Sequence, residues 1–202
     1  MFDLDFGLLP RIVRHQIFKG MPSFVEEPLA AIEVGETLDR LKAATLLLNE
    51  MSTENEAWLN RGYLRAGLSE FRSVAQALHW DLGRRAVHSP EKSQNPLVHL
   101  VFRLRRVAVY VENATTSERT VTARLRFGDF ETSADFEVLL IPEIEEYLRK
   151  EDLSKYHDRD ISRICGWFDV NQKVYGAPQV LSTGILVYAQ ELAEAYTGRT
   201  DA

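Results

Sequence analysis

The chain has 202 residues and a formal net charge of −6, with hydrophobic residues at 45%. A chain of this length can bury roughly 70% of its unfolded surface, so one domain with appendages needs no covalent staple. The negative balance argues against nucleic-acid binding by bulk charge and leaves room only for a local basic patch. A single cysteine, Cys165, excludes an intramolecular disulfide, and its apolar helical surroundings mark it as a small buried hydrophobe.

The N-terminus, MFDLDFGLLPRIV, carries Asp3 and Asp5 where a secretory signal carries positive charge. No run of about 18 apolar residues exists to span a membrane. The expectation is an intracellular, cytoplasmic protein. Residues 1 to 30 mix Gly7, Pro10, Gly20, Pro22 and Pro28 with Phe2, Phe6, Leu8, Leu9, Ile12, Ile17 and Phe18. The breakers deny this segment a long helix, and its apolar content is too high for a disordered tail. An N-terminal arm packed over its own bundle, or over a partner subunit, fits both facts. Residues 31 to 202 then form a single helical-bundle domain.

Within that domain Gly35 to Met51 reads as a helix, with Leu38, Leu41, Thr45 and Leu48 on one face and Leu46 and Leu47 widening it. Ser52, Thr53 and Asn55 break it with capping chemistry. Glu56 to Arg85 is a long second helix, apolar at Leu64, Leu68, Phe71, Ala75, Leu78 and Leu82, and the short link makes the two antiparallel. Gly62 and Gly67 each cost about 1 kcal/mol against alanine inside a helix, so another helix is expected to approach closely there.

After a polar loop, HSPEKSQN, comes the central stretch NPLVHLVFRLRRVAVYVE, residues 95 to 112. Pro96 suits a first helical position and Asn95 a cap. Leu97, Leu100, Val101, Leu104, Ala108 and Val111 form one buried face, and Val98, Phe102 and Val109 a second apolar edge, which predicts an interior helix. Its polar residues His99, Arg103, Arg106 and Tyr110 fall at helical spacing in one stripe, with Arg105 to one side. Unpaired charge on a buried helix is costly. Either these arginines pair with acidic residues of neighbouring helices, or they line a cleft or dimer seam that takes up an anion such as phosphate. The candidate ligand-binding set is His99, Arg103, Arg105, Arg106 and Tyr110.

Beyond Asn113 the period changes to two. Val121, Ala123, Leu125 and Phe127 alternate with polar residues, Gly128-Asp129 signals a turn, and Phe136, Val138 and Leu140 share a face of a returning strand. This is an antiparallel β-hairpin inserted at about 119–140. Pro142 to Asp152 is an acidic helix, Ile161 to Val174 another with Asp158 or Asp160 as its cap, and Gln179 to Tyr196 a last one facing inward through Leu181, Ile185, Tyr188, Leu192 and Tyr196. The fold class is therefore mainly α, a bundle of about five to six helices with one inserted hairpin. Trp58, Trp80 and Trp167 fall on helix faces and are expected in the core or a groove.

The chemistry is sparse. His15, His79, His88, His99 and His157 are scattered, so no metal or other cofactor is expected, and no phosphate loop, nucleophile elbow or cysteine–histidine signature is present. The element order and the motif on the central helix resemble the HEPN superfamily (higher eukaryotes and prokaryotes nucleotide-binding). That resemblance covers roughly residues 36 to 112 and the last two helices. In it Arg105 matches the motif arginine, Arg106 the following polar residue, and Tyr110 the position that holds histidine in the family. The family's ribonucleases pair that histidine with the arginine across a dimer seam. Tyrosine, with a pKa of about 10, is a poor general base at neutral pH. The resemblance thus implies a homodimeric, non-catalytic module binding RNA, a nucleotide or a protein partner. One alternative is a structural or regulatory homo-oligomeric protein with no nucleic-acid role. A weaker one is a metal-independent ribonuclease using Arg105 with Tyr110 or His99.

Overall fold

The computed structural model describes residues 2–12, 21–52, 54–110, 116–124, 131–152 and 156–197. Among them are seven α-helices, α1 (Ser23–Ala31), α2 (Gly35–Asn49), α3 (Ala57–Leu82), α4 (Pro96–Tyr110), α5 (Ile141–Asp152), α6 (Asp158–Tyr175) and α7 (Ala177–Thr197), with strands β1 (Thr116–Arg124) and β2 (Glu131–Leu139) between α4 and α5. The fold is mainly helical. Helix α1 is one more than the bundle of five to six that the periodicity predicts. It lies inside the expected arm, buries Val25 and Leu29, and packs on α2 and α7. Two and a half turns with two inward aliphatics suffice because that pair meets the surface of α2 and α7, not water.

Helices α2 and α3 are the most closely apposed pair, and the reason is Gly67. A Cβ there would lie 2.9 Å from Leu48 Cγ and 3.1 Å from the Ala44 carbonyl oxygen. Gly62 has nothing within 4 Å, so it does not mark a helix contact. Asp81, near the end of α3, accepts a hydrogen bond from the Thr37 N–H at 2.8 Å and so caps α2 from across the pair. Leu38, Leu41, Thr45 and Leu48 are buried, but Leu46 is 47% exposed. It lies on the far side of α2 from α3, where none of the described elements covers it.

The first two and a half turns of α4 are enclosed. Leu97, Val98, Leu100, Val101, Phe102 and Leu104 are all buried, and α3, α5, α6 and α7 all touch it. Asn95 caps it, its Oδ1 accepting from the Leu97 N–H at 2.9 Å. On α7, Gly184 lets α4 in: a Cβ at this position would sit 2.8 Å from Val101 Cγ2 and 3.0 Å from Leu97 Cγ. The inward face of α7 is the one its spacing predicts, with Leu181, Ile185, Tyr188, Leu192 and Tyr196 buried.

Strands β1 and β2 pair antiparallel, Thr116 opposite Leu139 and Arg124 opposite Glu131. The anticipated turn at Gly128-Asp129 and the side chains of Val121, Ala123, Leu125, Phe127 and Phe136 lie outside the described residues. β2 is fixed to the bundle by Gln172 of α6, whose amide accepts from the Leu139 N–H at 2.8 Å and donates to the Leu139 carbonyl at 2.9 Å. The side chain thus replaces a neighbouring strand at one residue. Val138 and Leu139 are both buried and Leu140 is exposed, so the strict alternation expected through Leu140 ends where the chain turns into α5. Neither Asp158 nor Asp160 caps α6: both stand in its first turn, after His157, which makes no side-chain capping bond. Cys165 is fully buried, and burial pushes its thiol pKa up to about 12, leaving it unreactive. No helix among the described residues is long and apolar enough to cross a membrane.

Candidate functional site

The polar stripe on α4 divides. His99 and Arg103, one turn apart, are 2% exposed each and converge on Tyr156 in the α5–α6 connection. His99 Nδ1 lies 2.9 Å from the Tyr156 hydroxyl, and His99 Nε2 lies 2.6 Å from the Ser93 carbonyl oxygen. A carbonyl only accepts, so Nε2 carries the proton and Nδ1 accepts from tyrosine. The same hydroxyl accepts from Arg103 Nε at 3.3 Å, and Arg103 Nη2 approaches Glu91 Oε1 at 3.3 Å. Burial, reinforced by the charge of Arg103, lowers the pKa of His99 and keeps the ring neutral.

A short N-terminal strap closes this cluster. The Phe2 ring sits 4.7 Å from the His99 ring and 5.2 Å from that of Tyr156, with the Arg103 guanidinium 5.8 Å from its centroid. The strap is held at two points: the Asp5 N–H donates to the Gln94 carbonyl at 2.9 Å, and Asn95 Nδ2 donates to the Leu8 carbonyl at 2.6 Å. Next to it a small crevice runs between α4, α5 and α6, lined mainly by Leu4, Leu100, Leu148, Ile161 and Ile164. Its walls are aliphatic, so it is packing space with one polar edge. Beneath the cluster, Ser93 accepts from the Asn95 N–H and donates to Glu191, at 3.0 Å in each case, which ties it to α7.

Arg105 points elsewhere. Six residues from His99, it stands about 120° around the helix and about 9 Å along it. It is half-buried against α3, where its Nε donates to Ser69 Oγ at 3.4 Å. The side chains of Arg106 and Tyr110 lie outside the described residues. Of the five candidate ligand-binding residues, then, His99 and Arg103 belong together and Arg105 is separate. Arg103 is engaged within its own chain, as the first of the two sequence readings allows. Tyr156, Ser93, Glu91 and Phe2 complete the cluster. No sequence signal gave them, because each arrives from a loop or from the strap.

Among the described residues no group of three or more histidine, cysteine, aspartate or glutamate side chains could hold a metal ion. Two of the three tryptophans depart from expectation: Trp58 and Trp80 of α3 are 63% and 62% exposed, and only Trp167 packs against the core. No family model, curated protein or solved structure matches the chain.

Proposed function

We propose that the protein is a non-catalytic, HEPN-like helical module that acts by binding RNA, a nucleotide or a protein partner, as a homodimer in the cytoplasm. The observation that supports this reading is the separation of His99 from Arg105. General acid–base catalysis at a phosphate needs a titrating group and a cation that reach the same atom. Here His99 uses both ring nitrogens inside the fold, is held neutral by burial, and faces away from Arg105. What Arg105 offers is a positive charge at the α3–α4 seam. The β1–β2 pair is, in this reading, an insertion carried by the bundle.

Purified protein incubated with total RNA between pH 5 and 9, with magnesium or with chelator, should leave the RNA intact on a denaturing gel. Cleavage that disappears in the Arg105→Ala variant would reverse the proposal and make the protein a ribonuclease.

A second reading, a homo-oligomeric scaffold without a nucleic-acid role, is favoured by Val170 and Val174 on α6, which expose 64% and 38% of their surface one turn apart. Light scattering of the Val170→Asp, Val174→Asp double variant discriminates: a dimer that dissociates supports a self-association surface there.

A further inference from the structure

We propose that the groove under the N-terminal strap is a peptide-docking groove that takes the strap of a second copy of this chain, so that each copy lends its Phe2 to the other's His99, Arg103 and Tyr156. This inference rests on the homodimer of the proposed reading and names what joins it. The first argument is that the strap lies on the bundle as a bound peptide lies on its receptor. Phe2, Leu4 and Phe6 are half-buried against the core, and Asp3 and Asp5 between them are exposed. That period of two belongs to an extended chain with one edge turned inward. Each inward side chain has its own site. Phe2 meets the rings of His99 and Tyr156 at 4.7 and 5.2 Å, and Leu4 enters the aliphatic crevice with Leu100, Leu148 and Ile164. Phe6 lies under the Arg163 guanidinium, 4.0 Å from its ring centroid. The main chain is tied down between these sites, by the Asp5 N–H to the Gln94 carbonyl and by the Leu8 carbonyl from Asn95. Main-chain bonds with separate pockets for alternate side chains are how extended peptides are held.

The second argument is what the groove selects. The cleft between the strap and the start of α6 is lined by His157, Arg159, Asp160 and Arg163 on the helix side and by Asp3 on the strap. Asp160 lies 3.7 Å from Arg159 Nε, and the two arginines outnumber it, so the rim suits a segment that is acidic between its apolar side chains. The pattern aromatic, acid, leucine, acid, aromatic occurs once in this chain, at FDLDF, residues 2–6. A second copy brings that strap together with an identical groove. A two-fold pair therefore fills both grooves with the contacts that one chain makes with itself. The two arrangements differ in linkage and not in contacts, and rising concentration favours the pair. The strap is also lightly held. Its inward side chains are half-buried, whereas the rows Leu38–Leu48 of α2 and Leu181–Tyr196 of α7 are buried, and a segment held in that way opens before the bundle does.

The test is light scattering of the full chain from low micromolar to sub-millimolar concentration, with and without an excess of the acetylated peptide FDLDFGLL, residues 2–9. The expected result is a dimer that grows with concentration and that the peptide converts to monomer. The full-length Phe2→Ser, Leu4→Ser variant, checked for retained helix by circular dichroism, should stay monomeric. With no strap competing for its groove, it should bind the fluorescently labelled peptide about ten-fold or more tightly than the unaltered chain does. Adding Arg163→Glu, at an exposed position outside the core, should weaken that binding about five-fold or more, because it removes the cation from Phe6 and sets a carboxylate near Asp3. Three outcomes overturn the proposal. One is a chain that stays monomeric throughout while the variant fails to bind the peptide. Another is peptide binding by the variant without any dimer of the unaltered chain, which would make the groove's occupant something other than a second copy. The third is a dimer that survives both the peptide and the strap substitutions; the homodimer of the proposed reading would then stand, joined elsewhere, and the strap exchange would fall.

Discussion

The hydroxyl of Tyr156 lies 2.9 Å from His99 Nδ1 and accepts from Arg103 Nε on its other side, so one atom from a connecting segment joins two residues of the central helix. Protonating His99 would leave a charge buried away from water and, in addition, a cation beside Arg103. That is why its pKa falls below the ordinary 6.5. A group whose pKa is lower folded than unfolded contributes stability above its unfolded pKa, and that contribution is lost as pH falls. The melting temperature should therefore hold steady from pH 8 to about 6.5 and decline below it. His99→Gln, which can donate to Ser93 and accept from Tyr156 without titrating, should flatten the decline in a thermal series from pH 5 to 8.

Tyr156→Phe removes the shared oxygen and leaves His99 Nδ1 and Arg103 Nε without their bond to it. Buried polar groups stranded in this way cost about 1–3 kcal/mol. Urea denaturation should show a loss in that range, and a change under about 0.5 kcal/mol would mean that the hydroxyl is dispensable.

Three glycines should respond differently to alanine. Gly67→Ala and Gly184→Ala push a methyl group into Leu48 and the Ala44 carbonyl, or into Val101 and Leu97, and should destabilise by about 1–3 kcal/mol. Gly62→Ala meets open space on an exposed helix face and should stabilise by about 0.5–1 kcal/mol. Midpoints from chemical denaturation of the three variants order them directly.

Asp81→Ala takes away the carboxylate that accepts from the Thr37 N–H, the cap of α2 supplied by α3. A loss of about 1 kcal/mol is expected. Asp81→Asn, which keeps an acceptor oxygen, should recover most of it, as measured by the thermal midpoint.

The helical periodicities of α2, α3, α4 and α7 were legible in the sequence, and with them the buried rows Leu38–Leu48, Leu97–Leu104 and Leu181–Tyr196 and, in α3, Leu64, Leu68, Phe71, Leu78 and Leu82, whereas Ala75, expected in that row, is only half-buried. Spacing fixes which side chains share a face, because the helix repeats every 3.6 residues whatever surrounds it. It does not fix whether a neighbour covers that face. Trp58 and Trp80 were placed on a helix face and expected to be covered, yet that side of α3 looks outward. Leu46 was read as part of the α2 face and is exposed.

The candidate site shows the same division. The sequence put His99 and Arg103 one turn apart and set Arg105 aside from them. Only the tertiary structure brought Tyr156 from the α5–α6 connection, Ser93 from the loop before α4 and Phe2 from the strap, residues 57, 6 and 97 positions from His99, into contact with it. A contact between residues as far apart as Tyr156 or Phe2 and His99 depends on how the packed elements turn their connecting segments toward one another. No local pattern encodes that, because it is settled by the packing of all the elements at once.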